Sequence, residues 1–123
     1  MRVHIDKRRR FIADLFPTEG DVNVVYLYLG EPIAWHRHQR QTDWLFCAKG
    51  KILVGVMGPG ADTVTMATLT DRTEALCIPP NCWHGYQSLK CTAILVSYIT
   101  QKYDPTDEER ASLETFPWLT TTA

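Results

Sequence analysis

Apolar residues in this chain come in short runs, many alternating with polar ones, and Gly, Pro, Asp and Thr punctuate them. Residues 1–16 begin with an apolar/polar alternation, pass through Lys7-Arg8-Arg9-Arg10, and end in Phe11-Ile12-Ala13-Asp14-Leu15-Phe16. That pattern predicts two short strands around a turn, with a helical turn near the end as the alternative. Pro17-Thr18-Glu19-Gly20-Asp21 is a turn by composition, because Pro fixes φ and Gly supplies the permissive position. The β-branched and aromatic stretch 22–29 predicts a strand, and Gly30-Glu31-Pro32 breaks it before the strand that carries His36. Two apolar runs, 44–48 and 52–57, flank Lys49-Gly50-Lys51, a spacing that predicts a hairpin with Gly50 at positive φ. A loop at 58–62, a half-exposed strand at 63–69 and a turn at 70–73 follow. Residues 74–78 then run into Pro79-Pro80, whose missing N–H groups mark a strand's end. Residues 93–100 form the most apolar strand. Only 106–113 reads as helix, with Thr106 as N-cap, acidic residues in the first turn and Pro105 just before. The tail 115–123 has no period.

Short strands at regular spacing with no long helical pattern between them predict an all-β fold. A closed or nearly closed double-sheet barrel of the jelly-roll kind follows. At 123 residues the chain fits one domain spanning 1–123, with a short helix and tail from about residue 105. Thirteen basic against fourteen acidic residues give a formal charge of −1, which argues against a nucleic-acid surface or an anionic membrane as partner. The basic run at 7–10 is the exception, and fits a solvated strand edge or an anchor for a phosphate-bearing ligand. The four cysteines, Cys47, Cys77, Cys82 and Cys91, form no C-x-x-C pair and lie in or beside apolar segments, as reduced thiols of a cytoplasmic protein do. There is no leader-like apolar segment at the N-terminus and no apolar run of spanning length.

Candidate chemistry gathers in two stretches. In Gly30-Glu31-Pro32-Ile33-Ala34-Trp35-His36-Arg37-His38, alternation on a strand sends His36 and His38 to one face. Asp43 follows, and His84 lies in Ile78-Pro79-Pro80-Asn81-Cys82-Trp83-His84-Gly85-Tyr86. Three imidazoles and a carboxylate facing one space could hold a single divalent ion, Fe, Mn, Ni, Cu or Zn. The spacing of Gly30, His36, His38, Asp43 and Gly50, with Pro79, Asn81 in a glycine slot and His84, resembles the two motifs of the cupin superfamily, with Asp in place of Glu.

Over residues 6–110 the chain also resembles the dTDP-4-dehydrorhamnose 3,5-epimerase family, sugar-nucleotide epimerases on the cupin fold. Asp6-Lys7-Arg8-Arg9-Arg10-Phe11 is similar to that family's D-x-R-G-x-F, residues 33–38 to its R-G-L-H-Y-Q, and residues 78–86 to its I-P-P-G-F-A-H-G-F. Residues 98–108 are similar to its Y-x-x-T-x-x-Y-x-P-x-x-E. The resemblance implies a catalytic base at His36, an acid at Tyr103 and an active-site histidine at His84, with Arg8 and Phe11 at the substrate. It also implies a metal-free reaction and a homodimer. The chain departs from the family at Ile33 for arginine, His38 for glutamine, Asp43 for lysine and Ala13 for an acidic residue, and the family's C-terminal aspartate has no counterpart. These changes rebuild the pocket around three imidazoles and one carboxylate.

Two functions fit these residues. One is an epimerase or isomerase of a 4-keto-6-deoxy sugar linked to a nucleoside diphosphate, with His36, His84 and Tyr103 catalytic and Arg8, Phe11, His38, Trp83 and Tyr86 binding substrate. The other is a small mononuclear metal cupin, with His36, His38, Asp43 and His84 as ligands, that acts on or senses a small polar molecule. A sugar-binding module without activity is the plainer third reading. Trp83 and Tyr86, flanking His84, are expected to stack on a ring-shaped ligand.

Overall fold

The structure, a computed structural model, describes residues 2–13 and 19–115. The first two residues of the turn expected at 17–21, the end of the 11–16 segment and nearly all of the tail lie outside the described residues. Among those described there are nine strands, two single 3-10 turns and no α-helix. No helix among them is long and apolar enough to cross a membrane.

β1 (Arg2–Ile5) and β2 (Arg9–Ala13) form the expected N-terminal hairpin. Asp6 closes it, its Oδ1 accepting the main-chain N–H groups of Arg8 at 2.7 Å and Arg9 at 3.1 Å. β3 (Asp21–Leu27) and β4 (Ile33–His38) follow, then the long β5 (Asp43–Met57), β6 (Thr65–Leu69), β7 (Leu76–Ile78), the long β8 (Trp83–Ile99) and the short β9 (Glu108–Arg110). β5 lies antiparallel to β8 from Asp43 opposite Ile99 to Met57 opposite Trp83. The first half of β5 also pairs with β7 and the second half with β6. Likewise the C-terminal half of β8 pairs with β3 and its N-terminal half with β4. One ribbon therefore joins two curved half-sheets, β1-β2-β3-β8-β5-β7 and β9-β4-β8-β5-β6, around a shared interior. This is the all-β double-sheet barrel that the strand pattern predicts.

The ribbon corrects one expectation. Residues 44–48 and 52–57 are not the arms of a hairpin but two halves of one bent strand. Gly50 does take positive φ, at 89°, yet the chain bends there instead of reversing. The reason lies in the partner. β8 carries its own irregularity at Cys91, with φ 51°, and the register shifts between Cys47 and Ile52. Both strands change the parity of their buried residues at this level, from Asp43, Leu45 and Cys47 to Ile52 and Val54 on β5, and from His84, Tyr86 and Ser88 to Ala93, Leu95, Ser97 and Ile99 on β8. A matched bulge in two paired strands keeps the apolar face inward as the ribbon passes from one half-sheet to the other. The core of Val25, Leu27, Leu45, Ile52, Val54 and Leu95, with their neighbours, packs against that face.

The helix expected at 106–113 shrinks to the 3-10 turn Pro105–Asp107, and β9 follows it directly. The cap is Asp104, not Thr106: its Oδ1 accepts the main-chain N–H of Thr106 at 2.9 Å. Asp107, which would have sat in a helix's first turn, is buried, and its carboxylate accepts the main-chain N–H groups of Gln39, Arg40 and Gln41 at 3.1–3.3 Å. Those bonds draw the segment onto the edge of β4, where Glu108 and Arg110 pair opposite His38 and His36.

A Cβ on Gly50 would meet Ala93 Cβ at 3.1 Å and Ala93 Cα at 3.2 Å, at a φ that non-glycine residues occupy only under strain. Gly50→Ala should lower unfolding stability by about 1–3 kcal/mol, read as a lower urea midpoint at unchanged m-value.

Candidate active site

The interior of the barrel opens into a cavity of about 480 Å³ lined from both half-sheets. His36 and His38, two residues apart on β4, both reach it, as strand alternation requires. His84 comes from β8, directly opposite His36 across the ladder. The ring centroids of His36 and His84 are 4.1 Å apart, and His38 lies 5.7 Å from each. Asp43 enters from the start of β5, in the other half-sheet, with Oδ2 at 3.4 Å from His84 Nε2 and 3.9 Å from His38 Nε2. The four residues expected to converge do so, each offering a donor atom within 4.8 Å of the others.

Main-chain carbonyls set two of the tautomers. His36 Nδ1 lies 3.2 Å from Ala34 O and His84 Nδ1 lies 2.9 Å from Cys82 O. A carbonyl only accepts, so each Nδ1 carries a proton; neutral His36 then presents the lone pair of its Nε2, while His84 Nε2 faces the Asp43 carboxylate. At 3.4 Å the approach of His84 Nε2 to Asp43 is an electrostatic contact without hydrogen-bond geometry, so Nε2 has no hydrogen-bond partner and is fully buried. Burial, then the neighbouring His84, hold His36 well below the ordinary imidazole value, and burial lowers His38 despite the opposing pull of Asp43. For Asp43 burial pushes upward, but His84 together with the Gln41 amide, which donates to Oδ1 at 2.6 Å, outweighs it and the carboxyl lies below its usual range.

The second stretch approaches as its glycine slot requires. Asn81 adopts φ 65°, and its N–H donates to His38 O at 2.6 Å, tying the Pro-Pro turn to the end of β4. Tyr86 shares His84's face and lines the cavity. Trp83 does not line it. Adjacent residues on a strand face opposite ways, so Trp83 points outward, where the Arg37 guanidinium lies 4.5 Å over its ring. Trp44 and Phe46 are on the outer face as well, and Trp35 is buried. Phe11 lines the cavity with Arg9 4.9 Å over its ring. Arg8 also lines it, but its Nη2 donates to Asp6 Oδ2 at 2.9 Å, an interaction that holds the Asp6 carboxyl far below its usual range.

Tyr103 lines the same cavity, and its hydroxyl donates to Glu108 Oε2 at 2.7 Å. Burial, then the Glu108 carboxylate, raise its pKa, so the phenol keeps its proton at neutral pH. Arg110 and Gln41 were not among the residues that the sequence singled out, Arg9 entered only within the basic run at 7–10, and Glu108 only as the end of the 98–108 segment. Their signal was hidden, because 106–110 reads as helix and Arg9 fills a motif slot that belongs to glycine.

No family model matches the chain. A curated protein of Haloferax volcanii, described as a probable low-salt glycan biosynthesis epimerase, is 36% identical over 127 residues, covering 89% of this chain and 81% of that protein. Among solved structures, the capsular polysaccharide assembling protein CapF of Staphylococcus aureus superposes with a TM-score of 0.81 at 18% identity, over 90% of this chain and 34% of that one. The chain thus spans about a third of CapF. A dTDP sugar isomerase of Desulfovibrio desulfuricans superposes with a TM-score of 0.72 at 23% identity, over 85% of this chain and 73% of that one.

His36 and His38 have folded-state pKa values below the ordinary 6.5, so below about pH 6.5 the unfolded chain binds more protons than the folded one. Stability should therefore fall as pH drops through that value, by up to about 1.4 kcal/mol per pH unit per group. Asp43, lowered from 3.8, adds a further loss only in stronger acid. Thermal melts from about pH 8 to pH 5 should show a falling Tm, and His36→Gln should flatten the slope. A Tm independent of pH over that range would contradict neutral buried imidazoles.

Proposed function

The chain belongs to the family of cupin sugar epimerases represented by the Haloferax protein, and on that footing we propose that it epimerises or isomerises a 4-keto-6-deoxy sugar linked to a nucleoside diphosphate. The observation that carries this reading is a neutral imidazole and a protonated phenol on the walls of one cavity, His36 and Tyr103. Epimerisation beside a ketone needs a base without its proton and an acid that still has one, at the same pH. His36 Nε2 takes the proton from the carbon next to the ketone, and the C–H electron pair moves to the ketone oxygen as an enolate. Tyr103 delivers its hydroxyl proton to the same carbon from the opposite face. The imidazolium then releases a proton to water and the tyrosinate regains one, so the reaction is balanced with no net change. His36 is oriented by Ala34 O and needs no carboxylate for that purpose. His84 can stabilise an enolate only as an imidazolium, because its Nδ1–H is committed to Cys82 O, and Asp43 is the counter-ion for that form. For the diphosphate, Arg9 is a stronger candidate than Arg8: its Nε is buried at the cavity without a hydrogen-bond partner, whereas Arg8 already pairs with Asp6.

The histidine cluster supports a second reading, a mononuclear metal cupin. The donor set fits a divalent ion. The bonds from Nδ1 leave Nε2 of His36 and His84 as the ring atoms that a metal would take, and Gln41 holds Asp43 Oδ1 while Oδ2 faces the imidazoles. When bound through His36, His38, Asp43 and His84, such an ion would supply Lewis-acid polarisation of a substrate oxygen.

In heavy water, dTDP-4-keto-6-deoxyglucose should lose proton NMR signal at a carbon flanking the ketone when the chain is added. His36→Asn should slow that loss by about 10²–10⁴-fold. Tyr103→Phe should keep exchange but lose inversion. His38→Gln should leave turnover within a few-fold while any metal content of the purified protein falls. If turnover depends on His38 and returns when metal is added to the apoprotein, the metal-free mechanism is wrong.

A further inference from the structure

We propose that Glu108, held by Arg110, is the residue that positions the Tyr103 hydroxyl for its role as acid, a role that rests on the epimerase reading above. Glu108 Oε2 accepts two bonds at once, from the Tyr103 hydroxyl at 2.7 Å and from Arg110 Nη2 at 3.1 Å. Its side chain is only 8% exposed, although the residue sits on a three-residue edge strand where a carboxylate could easily reach water. Burying a carboxylate is costly unless it is paired and hydrogen-bonded, and this one is satisfied by a phenol and a guanidinium that line the same cavity. Pairing of β9 with β4 sets Glu108 opposite His38 and Arg110 opposite His36, so the ladder that fixes the base also fixes the anchor of the acid.

The pair suits a phenol that must lose and regain a proton. At rest, the Tyr103 hydroxyl donates to an acceptor that keeps its proton on oxygen, and the O–H must turn from Glu108 to the substrate carbon to deliver it. Once the proton has gone to carbon, the Arg110 guanidinium, held on the same Glu108 oxygen, offsets part of the tyrosinate's charge. The Glu108 carboxylate disfavours that charge, so the tyrosinate readily takes a proton back from water. From β1, Arg2 lies 5.5 Å over the Tyr103 ring and adds a second cation. A phenol without Glu108 would keep its place in the chain but lose the direction of its oxygen, and misplacement by about 1 Å can cost about 10²-fold in rate.

The test uses Glu108→Gln, which keeps the side chain's length and one acceptor oxygen but removes the charge, alongside the unsubstituted chain. With dTDP-4-keto-6-deoxyglucose as probe, kcat for inversion should fall about 10- to 100-fold with KM within about threefold. Exchange of the substrate C–H with heavy water should persist, because His36 is untouched. Independently of activity, carbon NMR of tyrosine labelled at Cζ, with Tyr103→Phe assigning the signal, should show the Tyr103 titration moving to lower pH in Glu108→Gln. If the unsubstituted chain neither exchanges nor inverts the probe, the epimerase reading fails and takes this role with it. If it turns over, while Glu108→Gln matches it in kcat and in the phenol titration, the role of Glu108 alone is overturned.

Discussion

Fifteen residues of β5 lie along the seventeen of β8, and most of the molecule takes its place from that ladder. Because both strands bulge at the same level, the ribbon can serve first one half-sheet and then the other with its apolar side always inward. The two halves then have different neighbours: β3 and β7 at one end, β4 and β6 at the other. His84 therefore sits opposite His36 in the ladder of one half-sheet, while Asp43 comes from the other. A ribbon that reversed at Gly50 would have left Asp43 and the imidazoles without a common interior.

The same geometry imposes an electrostatic condition. Three imidazoles with centroids 4.1–5.7 Å apart cannot all carry charge in a buried site, and burial with mutual repulsion lowers His36 and His38, while carbonyls two residues earlier hold Nδ1 of His36 and His84. Those carbonyls belong to the strands that bear the histidines, so tautomer and orientation come with the backbone. Asp43 needs help from outside its strand, and Gln41 gives it. Gln41 is held in turn by Asp107, which gathers the N–H groups of residues 39–41 from beyond β8. A carboxylate more than sixty residues away in sequence thus steadies the one in the cluster.

What could be read in the sequence was local. The H-x-H alternation placed His36 and His38 together because a strand's period is fixed, and Asn81, which fills a glycine slot of the motif, takes a positive φ in the turn. The failures follow from information held elsewhere. Lys49-Gly50-Lys51 looks like a hairpin turn, and only the matching bulge around Cys91 on the partner strand makes it a bend. Thr106-Asp107-Glu108-Glu109 looks like a helix start, and only the unpaired N–H groups of residues 39–41 make it an edge strand. Trp83 looked like a pocket residue through nearness in sequence to His84, when the period of two that served for His36 and His38 would have turned it outward.

The two functional readings ask the same thing of the imidazoles and different things of the rest of the cavity. A base and a metal ligand both need Nε2 bare and held from behind, so the histidine cluster alone does not choose between them. The metal reading assigns no role to the phenol whose proton rests on a buried carboxylate braced by arginine. An epimerase does, since its second half-reaction needs an acid that is still protonated where the base is not. Tyr103, Glu108 and Arg110 occupy the edge of β4 at the level of His36 and His38. The weight of the functional reading therefore falls on β9, one of the two shortest strands and one that the local pattern reads as helix.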